Sequence, residues 1–265
     1  MEKIVIAALG AVSLMALSAC NQKAAADSIE GTWKADLASV EIEEKPDVLV
    51  LKDGQYACSS CTPPLAVAAD GQFHPVADRP YYDSLSVEEV DAQTVKFARK
   101  KGERVVGEQT LQVSPDGNTL TFSYSNSSNP DKPPITGKGT QTRIGAAPAG
   151  AHAISGTWQN TKIETVSDEG LVVTYDLEGD TLKMSSASGE SYEAKIGGPE
   201  VPVQGDIGGT LVLVERIDNG FRETNKRNGK VVGVATVTVG PDGKMTGAWE
   251  NMEDGSKTRW TATKQ

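Results

Sequence analysis

Polar and apolar residues alternate strictly over 119–124: Leu120, Phe122 and Tyr124 fall on one side, Thr119, Thr121 and Ser123 on the other. A two-residue period is that of a β-strand with one dry and one wet face. In the C-terminal half the same reasoning predicts strands over 171–177, 181–185, 191–196, 210–217, 221–226, 230–239, 245–250 and 257–263. Turn residues punctuate them: Glu178-Gly179-Asp180, Asn219-Gly220, Asn228-Gly229 and Pro241-Asp242-Gly243. Asn-Gly is a strong hairpin signal because both residues tolerate positive φ. Long apolar runs of helical period are absent. The pattern predicts an all-β, antiparallel up-and-down meander, and a meander of this length tends to close because closure removes unpaired edges.

The chain is also written twice. Ile29-Glu30-Gly31-Thr32-Trp33 returns as Ile154-Ser155-Gly156-Thr157-Trp158, and Pro75-Val76 as Pro202-Val203. Arg104-Val105-Val106-Gly107 returns as Lys230-Val231-Val232-Gly233, and Ser114-Pro115-Asp116-Gly117 as Gly240-Pro241-Asp242-Gly243. The shifts are 125 to 127 residues in unchanged order. A period this long reads as a duplicated domain rather than a solenoid unit. Between the copies, residues 145–153 include Gly145-Ala146-Ala147-Pro148-Ala149-Gly150, a linker composition. The expected organisation is therefore 1–19 as a signal peptide, 20–27 as a tether, 28–144 and 154–265 as two tandem β-barrels or half-barrels, and 145–153 as the linker joining them.

Composition narrows the function classes. Of 265 residues, 38% are hydrophobic and 5% aromatic, which is lean for large cores, and the formal charge is −10. An acidic body is repelled by phosphate backbones and anionic lipid surfaces, so nucleic acid is not an expected partner.

Residues 4–19 are mostly apolar and end in Leu17-Ser18-Ala19-Cys20. That stretch is shorter than the ~20 residues of a spanning helix but suits a secretory leader. It resembles the bacterial lipoprotein signal, in which a cysteine after small residues receives diacylglycerol and an N-acyl chain such as palmitate. The resemblance implies lipidation of Cys20 and a membrane partner engaged through the lipid anchor. With Asn21 rather than Asp after it, it implies the periplasmic face of the outer membrane.

Gly31-Thr32-Trp33 and Gly156-Thr157-Trp158 resemble the Gly-x-Trp opening strand of lipocalins and related small barrels. That resemblance implies a tryptophan plugging the closed end, with an arginine from the last strand lying over it. Arg143 and Arg259, each preceded by Thr, are the expected partners, giving Trp33–Arg143 and Trp158–Arg259 stacks. No lipocalin Thr-Asp-x-x-Tyr motif occurs, so the implied fold is lipocalin-like. Gly31-Thr32-Trp33-Lys34 and Ser114-Pro115-Asp116-Gly117-Asn118-Thr119-Leu120-Thr121 are also similar to a group of uncharacterised bacterial lipoproteins and secreted proteins, which implies fold and location alone.

Cys58-Ser59-Ser60-Cys61 occurs only in the first copy. A local disulfide is the expected state of an exported dithiol at this spacing. A thioredoxin-like site needs a helix after the attacking cysteine, which Pro63-Pro64 disfavour. Haem attachment needs a histidine where Thr62 stands, and zinc would have to recruit His74 and a carboxylate. Neither a metal nor a cofactor is expected.

His74, Tyr81 and Tyr82 lie in a turn-rich stretch and are candidates for a binding rim at a barrel mouth. Hydrolase, zincin, phosphate-loop and dinucleotide signatures are absent, and there are two histidines in all. The expectation is a non-enzymatic envelope lipoprotein binding a small apolar or amphipathic ligand or peptide. The rival is a structural lipoprotein that docks another envelope protein.

Overall fold

The computed structural model describes residues 29–265; the signal segment, Cys20 and the tether lie outside them. The first copy carries β1 (Gly31–Ala35), β2 (Glu41–Glu43), β3 (Asp47–Lys52), β4 (Gln55–Cys58), β5 (Leu65–Ala68), β6 (Asp70–Pro75), β7 (Ser84–Asp91), β8 (Thr94–Lys101), β9 (Arg104–Val113), β10 (Thr119–Asn126) and β11 (Ile135–Gly145). The second carries β12 (Gly156–Val166), β13 (Val172–Glu178), β14 (Thr181–Ser186), β15 (Ser191–Lys195), β16 (Val201–Pro202), β17 (Leu211–Ile217), β18 (Gly220–Arg227), β19 (Lys230–Val239), β20 (Met245–Asn251) and β21 (Lys257–Lys264). Strand bounds in the second copy fall within about two residues of those the alternation predicts. Asn219 at φ 62° and Asn228-Gly229 at 51° and 75° make the expected left-handed turn positions.

Two antiparallel, nearly closed sheets result, each a path of ten strands. One runs β5-β4-β3-β12-β11-β10-β9-β8-β7-β6, and the other β15-β14-β13-β1-β21-β20-β19-β18-β17-β16, with β2 added beside β21. Each encloses its own apolar core, one around Trp158, Leu51, Leu85 and Leu120, the other around Trp33, Leu182, Phe221 and Met245. In the second sheet the ends are drawn together by the Ser191–Gln204 backbone pair and by Gly197 N–H donating to Val214.

The sheets do not part at 145–153. That segment joins β11 to β12, and both lie in the same sheet. Each opening strand instead completes the barrel of the other copy: β12 sits between β11 and β3, and β1 sits between β21 and β13. The first barrel is thus one continuous stretch from β3 to β12. The second is built from β13 to β21 plus the N-terminal β1 and β2. The chain crosses between barrels twice, after β2 and over 167–171.

This exchange corrects the expected tryptophan partners. Arg143 lies over Trp158, 4.0 Å from the ring, and Lys264 lies over Trp33 at 5.6 Å. Trp158 is paired across the ladder with Arg143, and Trp33 with Lys264, so the two cations hold equivalent positions. Arg259 faces Glu41 and Ala248 instead. Its Thr-Arg likeness to Thr142-Arg143 is out of step with the strand register by five residues. Both tryptophans are buried, and each indole Nε1 donates to the carbonyl four residues upstream, Ile29 at 2.7 Å and Ile154 at 2.8 Å. Gly31 (φ 114°) and Gly156 (φ 136°) open these strands where a Cβ would strike Lys264 or Arg143, so only glycine allows the cation to reach its ring.

Candidate functional site

Aligning the two barrels by register shows where their interiors diverge. Gly156 faces Leu49, which faces Cys58, which faces Leu65. In the other barrel Gly31 faces Tyr175, which faces Met184, which faces Tyr192. Phe97 between Val87 and Gln109 corresponds to Glu223 between Val214 and Ala235. Three apolar positions of the first barrel, Leu49, Leu65 and Phe97, are therefore Tyr175, Tyr192 and Glu223 in the second.

These three side chains meet. Both tyrosine hydroxyls donate to Oε1 of Glu223, Tyr175 at 3.1 Å and Tyr192 at 2.8 Å. Glu223 is 7% exposed, and its Oε2 has no hydrogen-bond partner among the described residues. Burial pushes the Glu223 carboxyl up, outweighing the two tyrosine hydrogen bonds that favour its charged form. Burial first, and then the Glu223 charge, push both phenols well above their usual value, so they stay protonated donors.

The triad borders a cavity of about 420 Å³ inside the second barrel. Its walls include Val173, Met184, Val237, Trp249 and Trp260. The two indoles lie across neighbouring strands over glycines, Trp249 on Gly233 and Trp260 on Gly247, where any Cβ would collide with the ring. Glycine lets each ring lie flat against the wall and leaves the interior open.

Tyr81 stands at the mouth of this cavity although it belongs to the first barrel's 76–83 loop. Its hydroxyl accepts from Arg227 Nη2 at 2.9 Å, the guanidinium lies 5.0 Å from its ring, and the ring packs on Gly208. Arg227 also faces Glu253 at 3.6 Å. Tyr82 turns the other way, into the first barrel, with Arg99 5.7 Å above its ring. It borders a smaller cavity of about 280 Å³ shared with Leu49, Cys58, Cys61 and Phe97. There Gln141 donates to Asp47 at 2.8 Å, and the buried Oδ1 of Asn160 has no partner. A cleft of about 470 Å³ between the barrels touches Tyr81 and Tyr82 together, so both interiors share lining with it.

Of the expected rim, Tyr81 and Tyr82 are thus brought together at the cleft. His74 is not: it sits on β6, and its Nε2 pairs with Asp70 at 2.8 Å, four residues away. Cys58 and Cys61 form a disulfide with Cα atoms 5.4 Å apart, in the loop that leads from β4 to β5. Among the described residues no group of three or more His, Cys, Asp or Glu side chains is placed to hold a metal ion, and no helix is long and apolar enough to cross a membrane. Sequence reasoning missed Glu223, Tyr175 and Tyr192. The available signal was parity: Glu223 falls on the inward face of β18 with Phe221, a charge in a dry register.

No protein-family model matches this chain, nor does any curated protein or any solved structure.

Proposed function

We propose that this chain is a binding protein of the bacterial envelope, anchored by lipid on Cys20, that holds a small amphipathic molecule inside its second barrel. One observation carries the reading. A cavity of about 420 Å³, within the usual range of ligand sites, is lined by apolar and aromatic side chains and contains one buried carboxyl group. The apolar positions that the first barrel fills with Leu49, Leu65 and Phe97 carry hydrogen-bonding groups here, an arrangement that costs stability unless something uses it. Anchoring rests on the run of small residues before Cys20 and, for the outer membrane, on Asn21.

Native mass spectrometry of the protein purified from its host tests the reading. A small species that survives desalting, and is lost when Trp260→Ala opens the wall, supports carriage. Protein that emerges empty at every preparation, with a single protein partner crosslinked in cells, would replace carriage by docking. Labelling with palmitate that persists in Cys20→Ser would remove the anchor.

A further inference from the structure

The second barrel's cavity has a sign as well as a shape. Four carboxyl groups, those of Glu190, Asp206, Glu223 and Glu253, border it against one guanidinium, Arg227. Arg227 bonds the Tyr81 hydroxyl, stacks on that ring and faces Glu253, which sets its charge against a carboxylate, while its buried Nε has no partner. Asp206 accepts from the Thr210 backbone N–H at 2.7 Å. Glu223 is the deep member of the set. Its Oε1 accepts from two phenols, and the side chain lines the cavity with no hydrogen bond to Oε2 among the described residues. Trp249, Trp260 and the two tyrosines line the same cavity. A buried carboxylate with a free oxygen, aromatic walls and an excess of negative charge favour a cation over a neutral or anionic group, because both Coulomb attraction and the ring quadrupoles act in the same direction. In the first barrel Phe97 stands in place of Glu223, and the carboxylate that lines its cavity, Asp47, accepts from Gln141, with Arg99 lining the same cavity.

We infer that the second barrel recognises a ligand carrying an organic ammonium group, seated between Glu223 Oε2 and the Trp249 and Trp260 rings, with its apolar remainder toward the Tyr81 mouth. This rests on the binding reading above and goes further by naming the chemistry of the ligand. Tyr175 and Tyr192 act as positioning residues that fix the carboxylate plane and leave one oxygen for the guest.

Isothermal titration of the whole chain with three probes of one shape tests it: 2-phenylethylammonium, 2-phenylethanol and 3-phenylpropanoate. The expected result is that the ammonium binds at least tenfold tighter than the alcohol, with the carboxylate weakest. In Glu223→Gln, which keeps side-chain shape and an acceptor for the two phenols, the ammonium's preference over the alcohol should shrink to about twofold. Equal or tighter binding of the alcohol or carboxylate to the wild-type chain overturns the ammonium inference and leaves cavity binding standing. An ammonium preference untouched by Glu223→Gln overturns it as well, by placing the cation elsewhere on the acidic surface. If none of the three binds, the inference falls, and carriage itself is judged by the species found or missing in the native mass spectra.

Discussion

Trp33→Ala should weaken the barrel built from the far end of the chain and spare the one made of the tryptophan's own repeat. Trp33 is 1% exposed and packs with Tyr175, Leu182 and Val214 in the second barrel's core. Removing a fully buried tryptophan costs about 3–5 kcal/mol. The loss includes the Nε1 bond to Ile29 and the ring beneath Lys264. At about 1.4 kcal/mol per tenfold, the midpoint of that range is a roughly thousandfold rise in opening of the affected unit. Hydrogen exchange followed by mass spectrometry reads this locally. Amides of 172–264 and of β1 should lose up to about three orders of magnitude of protection, while those of β7 to β11 change little. Trp158→Ala should give the reverse map. Greater loss in β7 to β11 than in β13 to β21 after Trp33→Ala would refute the strand exchange and restore two sequential domains.

Other expectations follow from single features. The Cys58–Cys61 bridge closes a four-residue loop, worth about 2 kcal/mol on the chain-entropy estimate. Cys58→Ser with Cys61→Ser should therefore lower the urea midpoint modestly without unfolding the chain, and thiol titration of the unreduced wild type should find neither Cys58 nor Cys61 reactive. Burial raises the folded pKa of Glu223 above the ordinary carboxyl value of 4.5. Its contribution to stability is therefore complete below about pH 4.5 and is lost as pH rises through the folded value, because the unfolded carboxyl ionises first. Glu223→Gln should remove that decline, so urea midpoints of variant and wild type should diverge in the variant's favour between pH 4.5 and 8. The neighbours Tyr175 and Tyr192 stay protonated over this range, and Glu190, Asp206, Glu253 and Arg227 remain in both proteins, so the difference isolates Glu223. Parallel curves would place this carboxyl in water.

Strand existence and turns were legible because alternation and Asn-Gly chemistry act locally. The repeat was legible too, since it is a matter of residue identity. The partition of strands was not. β1 and β12 carry the same Gly-Thr-Trp, so each slot between a last strand and a third strand accepts either one, and local sequence cannot choose between them. Connections choose: 145–155 is long enough to bring β12 back beside β11, and 36–46 first follows β21 before it crosses to β3. The cation over each tryptophan was misread for a related reason. Lys264 stands where Arg143 does, but neighbouring residue likeness pointed to Arg259. Glu223 and its phenols come from β13, β15 and β18, so the triad exists only once the meander has curled round.

The placement of β1 also sets an order of events as the chain emerges N-terminus first. β1 can pair with β13 once the second repeat begins to emerge, but Trp33 also aligns with Lys264, so its other edge is covered only when the last strand has emerged. The first barrel, whose strands end with Val166, can close before the C-terminal half has emerged. Until then β1 keeps one edge uncovered, and Trp33 lacks the Lys264 that lies over its ring. Any truncation near the C-terminus would leave it so, exposing a sticky ribbon to other chains in the cell.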